Sequence, residues 1–179
     1  MPRVFSAIEL EDEKLKNELS YVRDTVNLGF NTVSQEKMHL TLEFFEDLNQ
    51  KQIEKYKQKL QSTQIGSFQT SVKGVGSFPS EDHIRVVWAG LAEEKQIRKL
   101  YKIISQHKLP ASNEHKFKPH ITLLRVNKPS KEQQKLLKNN IREFNDYHFG
   151  NLQINKIKLY ETQITPNGSK YKTLETFQL

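Results

Sequence analysis

Two short stretches of this chain repeat one pattern, His39-Leu40-Thr41-Leu42 and His120-Ile121-Thr122-Leu123. Only six histidines occur in 179 residues, and two of them open this motif. In an extended strand, side chains two apart face the same way. His39 and Thr41 then share one face, with Met38, Leu40, Leu42 and Phe44 on the other. His120 and Thr122 likewise share a face, opposite Ile121 and Leu123. Each motif is an imidazole–hydroxyl pair backed by an apolar ridge, so it can line a cleft while its strand stays anchored. Such a set suits phosphoester chemistry. One neutral histidine removes a proton from water or a hydroxyl, and the other, protonated, gives one to the leaving oxygen. The threonine hydroxyls can donate to non-bridging phosphate oxygens as charge builds there. Histidine's reference pKa of about 6.5 lets both protonation states coexist near neutrality. A lone His-x-Thr reads more simply as a packed or surface histidine; two copies with one alternation do not.

The surrounding pattern alternates strands and helices. Strands are expected over 3–10, 38–45, 68–78, 84–89, 120–126, 152–160 and 171–177. Helices are expected after Glu11-Asp12-Glu13, over 50–61 with Ile53, Tyr56 and Leu60 on one face, over 93–107 and over 130–144. Within 93–107, Ile97, Leu100, Tyr101 and Ile104 form the expected buried side. Gly74 and Gly76 suggest a bulge or a close backbone approach, and Pro166-Asn167-Gly168 suggests a closing hairpin. Each His-x-Thr strand is followed by a helix, a weak internal repeat that implies a pseudo-symmetric α+β fold with a site between its halves. No linker or low-complexity run divides residues 1–179, so one domain is expected.

Composition narrows the chemistry. There is no cysteine, which excludes disulfides, thiolate metal sites and a thiol nucleophile. No apolar stretch approaches the roughly 20 residues of a membrane span. The start Met1-Pro2-Arg3-Val4-Phe5 has no signal-peptide layout, so a cytoplasmic protein is expected. Twenty-eight Lys and Arg against 21 Asp and Glu give a formal net charge of +7, a field that attracts polyanions such as RNA. Neither GxxxxGK[ST] nor GxGxxG occurs, and no cofactor or metal is expected.

The chain resembles the 2H phosphoesterase superfamily, and within it the RNA 2′,3′-cyclic phosphodiesterases, also called the 2′-5′ RNA ligase family. The resemblance rests on the opening strand Arg3-Val4-Phe5-Ser6-Ala7-Ile8, on Met38–Leu42, and on Gly74–Pro79 and Arg85–Gly90. It continues through Phe117–Arg125, with the second motif and its flanks, and the closing Leu159–Thr162 and Gly168–Tyr171. It implies a bilobal fold of antiparallel sheets flanked by helices around a central cleft. His39 would be the proton donor to the departing ribose oxygen and His120 the proton acceptor, with Thr41 and Thr122 holding the phosphate. From the residues alone, the histidines are interchangeable. The implied reaction opens a terminal 2′,3′-cyclic phosphate to a 2′-phosphate; with an RNA 5′-hydroxyl in place of water the same site would make a 2′-5′ linkage. The implied partner is RNA or a nucleotide with a cyclic phosphate end, bound by a monomer. A protein that binds RNA or nucleotide without turnover is the alternative from another class.

Some residues depart from the pattern. Glu43 stands where relatives often carry a basic residue, and by alternation it shares the His39 face. Lys118 alternates onto the His120 face as a phosphate contact. Arg125 matches the family but alternates onto the opposite face, so it needs twist or a bulge to reach substrate. His83, His107, His115 and His148 share no spacing and read as surface residues, and Trp88 reads as core. Phe5, Phe78, Tyr160 and Tyr171 are candidates to stack a base.

Overall fold

The computed structural model describes residues 3–107, 109–110, 116–166 and 168–179. Apolar periodicity sets the helices. In α1 (Glu13–Val26), Leu15, Leu19, Val22 and Val26 are buried along one face, and the Asp12 side chain caps the start by accepting from the Leu15 amide at 2.9 Å. Capping boxes open α2 (Gln50–Gln61), through Asn49 and Gln52, and α4 (Lys131–Arg142), through Ser130 and Gln133. The third helix, α3 (Lys95–Ile104), buries Ile97, Leu100 and Ile104. Tyr101 is only half-buried and stacks on Phe117, ring centroids 4.0 Å apart. None of the described helices is long and apolar enough to cross a membrane.

Nine strands are seen among the described residues: β1 (Arg3–Glu9), β2 (Asn31–Thr32), β3 (His39–Phe45), β4 (Phe68–Ser80), β5 (His83–Leu91), β6 (Ile121–Arg125), β7 (His148–Ile154), β8 (Lys156–Thr165) and β9 (Gly168–Gln178). They form one sheet in the order β7-β4-β5-β6-β3-β1-β8-β9, with β2 paired to β6. The expected separate sheets are thus continuous, because β3 and β6 meet antiparallel with Leu40 opposite Ile121. Leu40, Leu42, Ile121 and Leu123 join the helix residues in the main core. Phe5, Ala7 and Tyr160 form a smaller cluster on the other face, with Phe44 packed against it.

The strand expected over 152–160 is two strands that meet at Asn155. Its first part pairs with β4 and its second with β1 and β9. The Asn155 carbonyl accepts the Leu179 amide at 2.9 Å, which leaves it outside both ladders. Buried Ile154 and Ile157 lie three apart, so the period of two had already broken there.

Each motif strand carries one extra residue just after its threonine. Between β1 and β3, Ala7 pairs with Thr41 but Ser6 pairs with Glu43, leaving Leu42 as a bulge. Between β5 and β6, Trp88 pairs with Thr122 but Val87 pairs with Leu124, leaving Leu123 as a bulge. An extra residue inverts the alternation beyond it. This corrects two expectations: Glu43 turns into the core and is 1% exposed, and Phe44 turns to the His39 face. On β6 the bulge is the one Arg125 needed, and it brings Arg125 to the face of His120.

Burying Glu43 requires partners. Its carboxylate lies 2.9 Å from His107 Nε2, and the Leu109 amide donates to His107 Nδ1 at 3.1 Å, so the imidazole carries its proton on Nε2 and donates it to Glu43. His107 is therefore no surface residue; its side chain is 5% exposed. The Tyr56 hydroxyl shares a 2.7 Å bond with Ser6 Oγ and also bonds Glu43; burial and the Glu43 charge raise its pKa well above the ordinary value. Ser6 Oγ in turn accepts from the Glu43 amide at 3.3 Å, beside the bulge. His83 and His148 are exposed, as expected, and His115 lies outside the described residues. Replacing Glu43→Ala leaves the His107 donor without its acceptor in the core and takes one of two partners from Tyr56. Urea unfolding should show a loss of about 2–4 kcal/mol, and Glu43→Gln, which keeps an acceptor, a smaller one. Unchanged midpoints would show that the network does not hold the fold.

Candidate active site

The Leu40–Ile121 pair sets the geometry of the four motif residues. Because the strands run antiparallel, His39 stands beside Thr122 and Thr41 beside His120, all on one face. The histidines occupy opposite corners. In a regular ladder those corners are about 8 Å apart at Cα, a gap that accepts a tetrahedral phosphate.

Both imidazoles are held the same way. His39 Nδ1 lies 2.7 Å from the Lys37 carbonyl, and His120 Nδ1 lies 2.7 Å from the Lys118 carbonyl. A carbonyl only accepts, so Nδ1 carries the proton in each ring and Nε2 is left to exchange one with a ligand. Sequence reasoning missed this support, although both histidines follow a lysine by two positions, in Lys37-Met38-His39 and Lys118-Pro119-His120.

The walls differ. Phe5 lies 5.0 Å from the His39 ring, and Tyr171 stands edge-on to it at 5.6 Å. Phe5 also stacks on Tyr160 at 5.1 Å. Around His120, Phe78 is edge-on at 5.0 Å and Trp88 lies at 6.3 Å. Trp88 is thus a wall of the site rather than a core residue, and a Cβ on Gly76 would overlap its ring. Burial among these rings depresses His39 most, with Arg125 and His120 adding to the effect against the Lys37 carbonyl; its pKa falls to about 4. Burial also lowers His120, helped by Arg125 and Lys118. The four aromatic candidates therefore pack against the histidines and one another, and Tyr171 remains 36% exposed.

A cavity of about 560 Å³ opens on the His39 side, and His39, Thr41, Phe44, Thr122 and Arg125 all line it. Lys118 stands at the His120 end, where its ammonium lies 5.5 Å over the Trp88 ring and is paired with Glu94 at 2.9 Å. No group of three or more described His, Cys, Asp or Glu side chains is arranged to hold a metal ion. The arrangement can therefore do two-sided proton transfer around a phosphate, with neutral and cationic donors to its oxygens.

Comparison with known proteins identifies the family. Residues 3–179 match the family model described as the AKAP7 2′5′ RNA ligase-like domain. The chain belongs to this 2H phosphoesterase family. This 2H phosphoesterase is 32% identical over 180 residues to a Thermotoga maritima protein named RNA 2′,3′-cyclic phosphodiesterase, covering 96% of this chain and 92% of that one. An Archaeoglobus fulgidus protein of the same name is 29% identical over 184 residues, covering 98% and 99%. The fold is also that of Escherichia coli LigT, whose apo crystal structure superposes with a TM-score of 0.77 at 19% identity, covering 99% of this chain and 97% of LigT.

The ring walls of this 2H phosphoesterase make a direct prediction. In an NMR titration, the His39 imidazole should titrate near pH 4, far below the ordinary 6.5. Tyr171→Ala uncovers the ring and should move that midpoint upward, as should a saturating nucleotide 2′-phosphate. A midpoint near 6.5 in the free wild type would show that the rings do not desolvate it.

Proposed function

We propose that this enzyme hydrolyses RNA ends bearing a 2′,3′-cyclic phosphate to 2′-phosphates. The observation that carries the reading is the pair of imidazoles at opposite corners of the motif block, each with Nδ1 on a backbone carbonyl and, among the described residues, no hydrogen-bond partner at Nε2. Water attacks phosphorus while His120 Nε2 takes its proton. The bond from phosphorus to the ribose 3′ oxygen breaks, and His39 Nε2 delivers a proton to that oxygen. The products are a 2′-phosphomonoester and a 3′-hydroxyl, and exchange with solvent restores the histidines. Thr41 and Thr122 donate to the non-bridging oxygens, and Arg125 offsets their charge. Lys118 acts chiefly through its carbonyl, which orients His120.

The assignment of donor and acceptor follows the family resemblance. The names of the T. maritima and A. fulgidus relatives support the substrate, and LigT has also been crystallised with 3′-AMP. The family description supports a second use of the same site, in which an RNA 5′-hydroxyl replaces water and a 2′-5′ linkage forms. The enzyme acts as a monomer on RNA or nucleotide ends and uses no cofactor in this scheme.

Turnover of a short RNA with a 2′,3′-cyclic phosphate should proceed in EDTA and yield a 2′-phosphate. His39→Ala and His120→Ala should each lower it by about 10² to 10⁴. Full binding by wild type and both variants, with no product from any of them, would replace the hydrolase reading with that of a binding protein. The pH profile tests the same scheme. Both histidines titrate below 6.5 in the free enzyme, so the form with one proton on the pair is most populated on the acid side of 6.5. The optimum of kcat/KM should lie there, and that of kcat at higher pH, because bound phosphate favours the imidazolium. A kcat/KM optimum above pH 7.5 would contradict the depressed pair.

A further inference from the structure

The cavity on the His39 side extends well beyond the reacting groups. In the β1–β3 ladder Glu9 lies opposite His39, and Arg3 stands six residues earlier on β1. That separation is about 20 Å along a strand. Arg3 nevertheless lines the same cavity as His39, flanked by the hydroxyl residues Thr162 and Ser169. Phe5 and Phe44 line the stretch between them.

The charge of this groove is one-sided. Arg3, Lys37 and Arg125 line it and no carboxylate does. Among the described residues none of the three makes an ion pair, whereas Lys118, Lys156 and Lys158 are each paired with a glutamate. The opposite wall is braced. Arg23 of α1 donates to the Val33 carbonyl at 2.7 Å, the Val33 amide donates to Leu123 at 2.9 Å, and the Asn27 side chain accepts the Phe30 amide at 2.8 Å. This holds Asn31, Thr32 and Ser34, which line the cavity, in place.

A 2′,3′-cyclic phosphate carries one negative charge, and Arg125 and Lys37, both close to the histidines in sequence or register, are enough to meet it. Arg3 is too far along the strand to share that phosphate. Cations in a groove repel one another unless a polyanion brings further charge. RNA continues from its cyclic end only on the 5′ side, through phosphodiesters at regular intervals, and its bases can lie on exposed aromatic rings. Resting on the hydrolase reading above, we propose that Arg3 binds a phosphodiester upstream of the cyclic end, so that the enzyme selects RNA chains over 2′,3′-cyclic mononucleotides.

The test compares kcat/KM for a 2′,3′-cyclic mononucleotide and for a pentanucleotide with the same end. Wild type should favour the pentamer, and Arg3→Gln should cut the pentamer-to-mononucleotide ratio about tenfold. The dependence of pentamer KM on salt should flatten by about 0.7 in log–log slope, the loss of one phosphate contact on a single strand. Arg3→Lys, which keeps the charge, should retain most of the ratio. An unchanged ratio in Arg3→Gln, or equal losses on both substrates, would overturn the proposal. Anisotropy of a labelled pentamer ending in a 2′-phosphate separates this from failure of the hydrolase reading. If wild type turns over neither substrate yet Arg3→Gln weakens pentamer binding with a flatter salt slope, the subsite stands without the hydrolase. If binding is unchanged, the subsite falls whatever the turnover.

Discussion

Everything at the site depends on how β3 meets β6. The strands are antiparallel and pair at Leu40 and Ile121, each the residue between histidine and threonine of its motif. That register alone places each imidazole beside the other strand's hydroxyl and sends all four side chains to one face. A slip of one residue would turn one motif's polar pair toward the helices and its apolar ridge toward the cleft. The register is held by burial, since Leu40 and Ile121 are wholly excluded from solvent on the helix side. The same apolar ridge that anchors each strand thus fixes the chemistry on its reverse.

The bulges at Leu42 and Leu123 make the two halves correspond and also let them differ. Each converts the third residue after threonine from a core position into a cleft position. In one half that residue is Phe44, in the other Arg125. Beside each threonine on the neighbouring strand stand Ala7 in one half and Trp88 in the other. The cleft therefore has an apolar wall around His39 and a cation reaching in from the His120 strand. An unbroken two-fold would give equivalent histidines, with nothing to set donor apart from acceptor. Here the more enclosed ring is His39, and the asymmetry that separates the two lies in their neighbours rather than in the motifs.

The motif pair, the helices and the strand order's alternation with helices were legible because each is written in local periodicity. Asp12, Asn49 and Ser130 announce helix starts, and Ile53, Tyr56 and Leu60 recur at helical spacing. The bulges were not legible, because an extra residue in a strand leaves no mark when leucine occupies it and leucine is buried on either reading. Two errors about faces, at Glu43 and Phe44, follow from that omission; at Arg125 alone the mismatch between family resemblance and alternation signalled that twist or a bulge was needed. His107 was misjudged for a different reason. Its partner Glu43 is 64 residues away, and only the folded chain brings an imidazole to a buried carboxylate. Trp88 was misplaced because a tryptophan in a strand commonly packs in the core, and nothing local shows that Gly76 opposite it clears room for the ring on the cleft side.

In the proposed hydrolysis, burial and charge set a consistent sequence of events at the site. Before a ligand enters, aromatic rings desolvate both histidines and Arg125 repels a second positive charge, so the imidazoles favour their neutral forms. Neutral imidazole suits the acceptor but not the donor. A phosphodiester anion between the corners changes the balance, because its charge offsets Arg125 and rewards a proton on the nearer Nε2. The Nδ1–H bonds to Lys37 and Lys118 persist in both protonation states, since a carbonyl accepts equally from imidazole and imidazolium. The rings therefore need not turn as protons move. What changes on binding in that scheme is charge at a fixed Nε2, so the acid proposed to expel the ribose oxygen would be completed by the substrate it acts on.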